Sequence, residues 1–250
     1  MNKTLTVIIL TKNEEEMLPD CLESVSFADK ILVIDNNSSD KTTEIAKKAG
    51  AQVIVSDLND FAARRSLPLK KITTDFILYI DADERVSQEL ADEIATVISN
   101  DAYTAAYRIP RKNFYLGNHP WPKVELLERL FMTTKLKGWH GKLHETAQVD
   151  GVVGQLKSPI LHYTHRTLSS MVEKTNIWSE VEASLRLDNN HPKMTWWRFP
   201  RVMLGAFWDS YIKQQGYKAG TAGLIESMYQ GFSIFITYAK LWEMQQEKKK

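Results

Sequence analysis

The chain has 250 residues, 43% of them hydrophobic and 25% charged, an ordinary globular mix that excludes disorder and collagen-like structure. Lys plus Arg is 32 against 31 Asp plus Glu, a formal net charge of +1, less basic than a dedicated nucleic-acid binder, so no nucleic-acid partner is expected. A single cysteine, Cys21, excludes an internal disulfide and a cysteine-based zinc knuckle.

The length suits one large domain, or a domain with a smaller appendage. The apolar run Leu5 to Leu10 stops at Lys12 and Glu14-Glu15-Glu16, too short for a signal core. No stretch approaches the roughly 20 apolar residues that span a bilayer. The expected location is therefore cytoplasmic.

In the first hundred residues strand-like and helix-like segments alternate. Thr6 to Leu10, Ile31 to Ile34, Gln52 to Val55 and Phe76 to Ile80 are short runs rich in β-branched residues. The stronger ones are apolar throughout, as in parallel strands covered on both faces. Helices are expected over Glu15 to Ser24, Lys41 to Ala49 with Gly50 as its stop, Phe61 to Lys71, and Ser87 to Ile98. Ser39 or Asp40 is the candidate cap of the second, Ser87 of the fourth. This βαβ alternation argues for an α/β fold with a mostly parallel sheet. Residues 102 to 166 change character, with strand candidates at Thr104 to Ile109 and Leu126 to Met132. The last third reads as helices over Leu168 to Leu187, Trp196 to Gln214 and Ala222 to Glu243.

Three strand ends carry polar loops: Thr11-Lys12-Asn13-Glu14, Asp35-Asn36-Asn37-Ser38-Ser39-Asp40 and Asp81-Ala82-Asp83-Glu84. In an open parallel sheet ligands bind where such loops converge, at the carboxyl ends of the strands. Each loop alone reads equally as turn and cap chemistry; together they predict one shared site. Asp81-Ala82-Asp83 is the most specific piece. Two carboxylates one residue apart suit a hard divalent cation, Mg2+ or Mn2+, which is held by one or two carboxylates plus substrate phosphates. The other reading is a turn leading into the Ser87 helix.

These motifs, in this order and spacing, resemble the family 2 glycosyltransferases of GT-A fold, and especially the bacterial lipopolysaccharide-core β-glucosyltransferases among them. The match is good over the first 165 residues and looser beyond. The resemblance implies a GT-A catalytic domain over residues 1–166, a Rossmann-like, mostly parallel sheet between helices. A helical extension over 167–250, facing acceptor or membrane, would follow. It implies an inverting, metal-dependent transfer from a UDP-sugar donor to a glycan acceptor, lipid-linked or of the lipopolysaccharide core. Glucose is the sugar it suggests. Thr11, Asn13 and Glu14 would line the base and ribose pocket, with Asp35 accepting from the uracil N–H. Asp81 would face the ribose or the metal, and Asp83 would bind the metal. Arg65, in Phe61-Ala62-Ala63-Arg64-Arg65-Ser66, would hold the carboxylates or the diphosphate; Ser66 stands where the family more usually has Asn. Arg129-Leu130-Phe131 and the following His144-Glu145 match the family's second half-site. There Glu145 is the expected base for the acceptor hydroxyl. His144 would orient it or contact phosphate, and Arg129 is a candidate for diphosphate or acceptor. His162, better placed than His165, is a third metal ligand or a structural histidine.

The tail carries five of the seven tryptophans. Between Lys193 and Gly220, five basic residues (Lys193, Arg198, Arg201, Lys213 and Lys218) interleave with Trp196, Trp197, Phe199, Phe207 and Trp208, opposed only by Asp209. That mixture suits an anionic bilayer surface, and predicts a peripheral contact on the inner face of the cytoplasmic membrane. In the last helix Ile225, Met228, Phe232, Phe235, Ala239 and Trp242 recur at helical spacing, a stripe that reads as packing on the body or on a second subunit. The oligomeric state is open. Other enzyme classes fit worse: Arg85 stands where an aspartyl-phosphate phosphatase needs Thr or Val, and no Gly-x-Gly-x-x-Gly follows the first strand. The remaining alternative is a catalytically silent, membrane-associated binding protein on the same scaffold, against which Asp35, Asp81, Asp83 and Glu145 stand intact.

Overall fold

A computed structural model describes residues 3–58, 60–100, 103–141 and 145–247. The chain divides into two compact units, Met1–Lys112 with Glu125–His162, and Asn113–Val124 with Tyr163–Lys250.

The first unit is built on the apolar runs. β1 (Leu5–Thr11), β2 (Lys30–Asp35), β3 (Gln52–Val55) and β4 (Phe76–Asp81) form a parallel layer in the order β3-β2-β1-β4. All seven residues of β1 are buried, which accounts for a strand without polar alternation. Beyond β4 the sheet continues through β5 (Glu84–Val86), β6 (Thr104–Tyr115), β8 (Glu125–Met132), β11 (Val152–Gln155) and β12 (Ile160–Tyr163), in the order β4-β8-β6-β12-β5, with β11 also on β6. β8 is antiparallel to both β4 and β6. The α/β fold with a parallel sheet expected from the sequence is therefore present.

One face of the sheet is covered by α1 (Leu18–Ser24), α2 (Thr42–Lys48) and α4 (Gln88–Asn100), through Leu18, Cys21, Ala46, Leu90 and Ile94 packed on Val7, Ile9 and Leu78. The other face is covered by the two-stranded ribbon of β9 (Leu136–His140) and β10 (Thr146–Val149), with Leu69 and Ile72. Local chemistry sets the ends of these elements. Pro19 sits in the first turn of α1, where its missing N–H costs nothing. Gly50, at φ +83°, closes α2: its N–H reaches Lys47 O at 3.0 Å, and the Ala51 N–H reaches Ala46 O at 3.1 Å. This paired closure needs a residue tolerant of the left-handed region. Ser87 Oγ accepts from Leu90 N, the cap expected for α4, whereas the N-cap of α2 is Lys41 without a side-chain bond, and Asp40, one residue earlier, accepts from Thr42 N at Oδ1.

One expected helix is shorter. α3 spans Phe61–Ser66, capped by Asp60 Oδ1 on Ala63 N at 2.9 Å, and a 3-10 turn at Leu69–Lys71 follows separately. Pro68 lies between them and has no N–H to donate back to Arg64.

The second unit contains β7 (His119–Pro120), which pairs with the last residues of β6, and the helices α5 (Leu168–Asp188), α6 (Arg198–Trp208) and α7 (Gly220–Glu247). A π turn at Asp209–Lys213 continues α6 over the rest of the expected helix. α7 packs with its small and polar side: Ala222, Gly223, Glu226, Ser227, Tyr229 and Gly231 are buried. Of the apolar stripe picked out by spacing, Met228 at 62%, Phe232 at 42% and Trp242 at 45% are exposed, while Phe235 is half-buried against Phe199. The reason is close approach. A Cβ on Gly223 would stand 1.9 Å from Gly216 O, and one on Gly231 3.2 Å from Met203 O. Glu226 is buried, and His165 Nδ1 lies 3.0 Å from both of its carboxylate oxygens.

Candidate functional site

The carboxyl ends of β1, β2 and β4 lie side by side. Thr11 is in register with Asp35, and Leu10 with both Ile34 and Asp81. The loops that leave them are laced together. Asn13, at φ +53°, donates its N–H to Ser38 Oγ and accepts at Oδ1 from Ser39 N, both at 2.8 Å. Asn tolerates this left-handed backbone better than most residues. Glu14 N donates to Thr42 Oγ1 at 2.9 Å. Asp35 is 1% exposed, and its Oδ2 accepts from Ser38 N at 2.9 Å while Ser38 Oγ donates to its Oδ1. A carboxylate has about four lone-pair sites, so Asp35 keeps acceptor capacity. Thr11 Oγ1 is buried with no hydrogen-bond partner among the described residues.

Asp81, at the end of β4, faces two guanidinium groups. Arg65 Nη2 donates to its Oδ1 at 3.1 Å and Arg129 Nη2 to its Oδ2 at 2.9 Å. Arg65 also donates from Nε to Glu145 Oε1 at 2.9 Å, so one side chain joins the end of β4 to the residue just before β10. Arg65 is itself positioned by packing. Its guanidinium carbon lies 5.1 Å from the Trp139 ring centre and 5.6 Å from that of Tyr79, whose hydroxyl donates to Arg65 O at 2.7 Å. Ser66, the departure from the family pattern, accepts from Trp139 N at 3.1 Å and so ties α3 to β9.

Arg129 reaches this centre because β8 is irregular. Tyr107 pairs with Leu130 but Arg108 with Glu128, leaving Arg129 as the extra residue of a bulge. Bulges re-aim a side chain in this way. Burial alone would raise the Asp81 carboxyl; Arg129 and then Arg65 outweigh it and hold it well below the usual carboxylate range. Burial likewise disfavours the Arg129 charge, but Asp81 and Glu84 more than offset it, so its proton is held more tightly than usual.

Asp83 and His162 form a second group beside the first. His162 Nε2 lies 3.4 Å from Asp83 Oδ2. Neighbouring β5 and β12 bring them together, with His162 in register with Glu84. Of the two histidines weighed in the sequence, His162 faces the Asp-x-Asp loop, whereas His165 is engaged with Glu226 in the second unit. Among the described residues no group of three or more His, Cys, Asp or Glu could hold a metal. A carboxylate and an imidazole side by side are nonetheless donors that suit Mg2+ or Mn2+, which fill most of their coordination from substrate and water. Asp81 has each oxygen engaged by an arginine.

Of the residues singled out from the sequence, Arg65, Asp81, Arg129 and Glu145 meet in one network and Asp83 and His162 in a pair. Thr11, Asn13, Glu14 and Asp35 belong to the interlaced loops. His144 lies outside the described residues. Glu84 and Arg111 were not picked out. Glu84 is 0% exposed, accepts from Asp81 N at 2.9 Å, and receives Arg129 Nη2 at 2.9 Å and Arg111 Nη1 at 3.3 Å. It is the buried counter-charge of the centre. Its signal was a third acidic residue directly after Asp-x-Asp. For Arg111 the signal was three cations, Arg108, Arg111 and Lys112, at and just beyond the end of the strand candidate Thr104 to Ile109. A cavity of about 510 Å³ opens beside the network, between Asp81, Glu145 and Trp139 on one side and Arg108 and Leu126 on the other.

A family model described as glycosyl transferase family 2 matches residues 6–152. An uncharacterised glycosyltransferase of Rickettsia prowazekii is 30% identical over 258 residues, covering 97% of this chain and 88% of that protein. The lipopolysaccharide core biosynthesis glycosyltransferase LpsC of Rhizobium meliloti is 23% identical over 252 residues, covering 96% and 92%. Among solved structures, glucosyl-3-phosphoglycerate synthase from Mycobacterium tuberculosis, in complex with Mn2+, UDP and glucosyl-3-phosphoglycerate, superposes with a TM-score of 0.47 at 15% identity, over 74% of this chain and 79% of that one.

Proposed function

Because the chain belongs to glycosyl transferase family 2, and is therefore a glycosyltransferase, we propose that it moves a sugar from a UDP-sugar, with inversion, to a hydroxyl of a lipid-linked or lipopolysaccharide-core glycan. Glucose is the sugar we favour. The observation that carries the reading is the Arg65 bridge: a single guanidinium spans Asp81 of the Asp-x-Asp loop and Glu145, at 3.1 and 2.9 Å. Donor-side and base-side carboxylates thereby share one anchor.

In this reading Asp35 accepts from the uracil N–H and the unpartnered Thr11 hydroxyl serves the nucleoside. A buried acceptor left unpaired by another base is costly, which is the source of selectivity. Asp83 and His162 hold the divalent cation, whose chemistry is to neutralise charge on the leaving diphosphate. Glu145 takes the proton of the acceptor hydroxyl as that oxygen bonds to the anomeric carbon; the carbon's bond to the diphosphate oxygen breaks, and its electron pair leaves with UDP. Arg65 occupies Glu145 Oε1 and leaves Oε2 to face the acceptor. The Rhizobium meliloti relative, named for lipopolysaccharide core biosynthesis, supports the acceptor class.

We assign the segment 193–220 to peripheral contact with an anionic membrane. What supports this is exposure of Trp196 at 82%, Leu204 at 67% and Trp208 at 57% beside Lys193, Arg201, Lys213 and Lys218, which are exposed as well. No helix among the described residues is long and apolar enough to cross a membrane.

The test is UDP release from UDP-glucose in the presence of purified lipopolysaccharide-core glycan. The unaltered chain is expected to release UDP and form a β-glycoside. Glu145→Gln is expected to bind UDP normally and lose turnover by at least about 100-fold, the scale of general-base catalysis. Undiminished turnover in that variant removes Glu145 as the base.

A further inference from the structure

Of the residues assigned to the nucleoside and the cation only Asp81 lines the cavity beside Arg65; Thr11, Asn13, Asp35, Asp83 and His162 do not. It begins at Asp81 and Glu145 and extends away from them, along β6 and β8, to Arg108, Arg111, Leu126 and Leu127. Four arginines line it, Arg65, Arg108, Arg111 and Arg129, against three carboxylates.

Two features set this apart from a solvated charge cluster. The side chains of Arg65 and Arg129 are only 5% exposed, and Arg65 Nη1 and Arg129 Nε have no hydrogen-bond partner among the described residues. These two atoms are themselves closed off from solvent, so the inner pair is a fixed part of the centre. The outer pair is different. Arg108, with its side chain 51% exposed, gives both Nε and Nη2 to the single oxygen Glu128 Oε1, at 3.3 and 3.2 Å. Both bonds fall on one acceptor atom rather than on the two that a guanidinium fork matches best. The Glu128 side chain is 23% exposed, so the pair is partly exposed and of modest worth, and an incoming anion competes with Glu128 for Arg108. Between the inner and outer cations, Trp139 and Leu126 supply apolar surface of the kind a sugar ring covers.

We propose that this cavity is the acceptor subsite and that it selects an acidic saccharide, one bearing a phosphate or carboxylate, through Arg108. The proposal rests on the transferase reading, since it takes Glu145 as the edge where the acceptor hydroxyl sits. It goes further in naming the acceptor's charge and the residue that reads it. Glu128 is then a built-in competitor that occupies Arg108 until the acceptor arrives.

The test is saturation-transfer NMR on the full chain with UDP and Mg2+, using three probes: glucose, glucose 6-phosphate and glucuronate. At least one acidic probe is expected to bind on the order of tenfold tighter than glucose, the scale of one charge-assisted contact. The two acidic arms distinguish phosphate from carboxylate. Arg108→Ala is expected to bring that probe down to the glucose level. Arg108→Lys is expected to recover only part of the preference, because the planar fork is lost. Glu128→Gln, which removes the competitor, is expected to tighten the acidic probe by about two- to fivefold, the range of an exposed ion pair. Equal binding of all three probes, or an acidic preference that survives Arg108→Ala, overturns the proposal. UDP affinity on the same samples separates the two levels: UDP binding without acidic preference removes the acceptor assignment alone, whereas absence of UDP binding removes the UDP-donor reading beneath it.

Discussion

Arg65 gathers more of the site than any other side chain: two carboxylates, two aromatic rings and a buried backbone within reach of one residue. Its position follows from α3 ending at Ser66, which puts it opposite β9. Asp81 and Asp83, two residues apart, take different roles for a physical reason. Asp81 is neutralised by Arg65 and Arg129, whereas Asp83 faces an imidazole, so the two should respond differently to mutation. Asp83→Ala is expected to leave the fold intact and to lower metal-dependent UDP affinity by roughly 10- to 100-fold, the range for loss of a group supporting a metal site; calorimetry with and without Mn2+ reads it. The sign for pH follows from the depressed Asp81 carboxyl. Its pairing contributes stability fully above the ordinary carboxylate value of about 3.9 and loses it as pH falls through the lower folded value. An acid limb of the rate profile near neutrality should therefore be unchanged by Asp81→Asn once residual activity is normalised. The Asp-x-Asp loop and Asp35 stood out in the sequence because charge after an apolar strand is a strong local pattern, whereas Glu145 was picked out only through the family resemblance. Glu84 was not, because its burial depends on Arg129 and Arg111 arriving from β8 and β6, far away in sequence.

At the scale of elements, the strands of the parallel layer were legible as apolar β-branched runs, since burial on both faces leaves little else. The ribbon of β9 and β10, which covers one face of the sheet, carried a weaker signal: its residues are mostly divided between half-buried and exposed, and Gly138 lies within it. The bulge at Arg129 left no mark in the sequence, because register belongs to a strand pair and not to one strand. α7 shows the limit of periodicity more sharply. Its apolar stripe was read as packing on the body or on a second subunit; within the helical unit, Gly223 and Gly231 set the packing by letting other backbone approach. Gly223→Ala, whose Cβ would meet Gly216 O at 1.9 Å, is expected to destabilise the helical unit by about 1–3 kcal/mol, the usual cost of overpacking. Gly205→Ala, with nothing within 4 Å of the added carbon, is expected to be neutral or slightly stabilising through helix propensity. Thermal unfolding of the two variants checks this; equal Tm values would remove close packing as the determinant of α7.

For the whole molecule, near-neutral net charge conceals an uneven distribution. The segment 193–220 concentrates cations and exposed aromatics, while acidic residues cluster at the strand ends of the first unit. Co-sedimentation with vesicles should separate the two. Vesicles of phosphatidylglycerol and phosphatidylcholine are expected to retain the chain at low salt and release most of it at 0.5 M NaCl, where the Debye length falls to about 4–5 Å. Pure phosphatidylcholine is expected to retain little, and Trp196→Ala with Trp208→Ala is expected to weaken the anionic binding. Equal retention by both vesicle types would contradict an electrostatic contact. The division of the molecule was only partly legible: residues 113–124 belong with the helical unit, a long-range association that no local composition marks.

The measurement that bears most directly on the account is calorimetric titration of UDP into the purified chain, with and without Mn2+, against GDP and ADP. The account predicts binding that is selective for UDP and strengthened at least about tenfold by Mn2+, since in the proposed reading Asp83 and His162 would hold the cation together with the diphosphate. Equal affinity for the three nucleotides, or no binding in either condition, would contradict it.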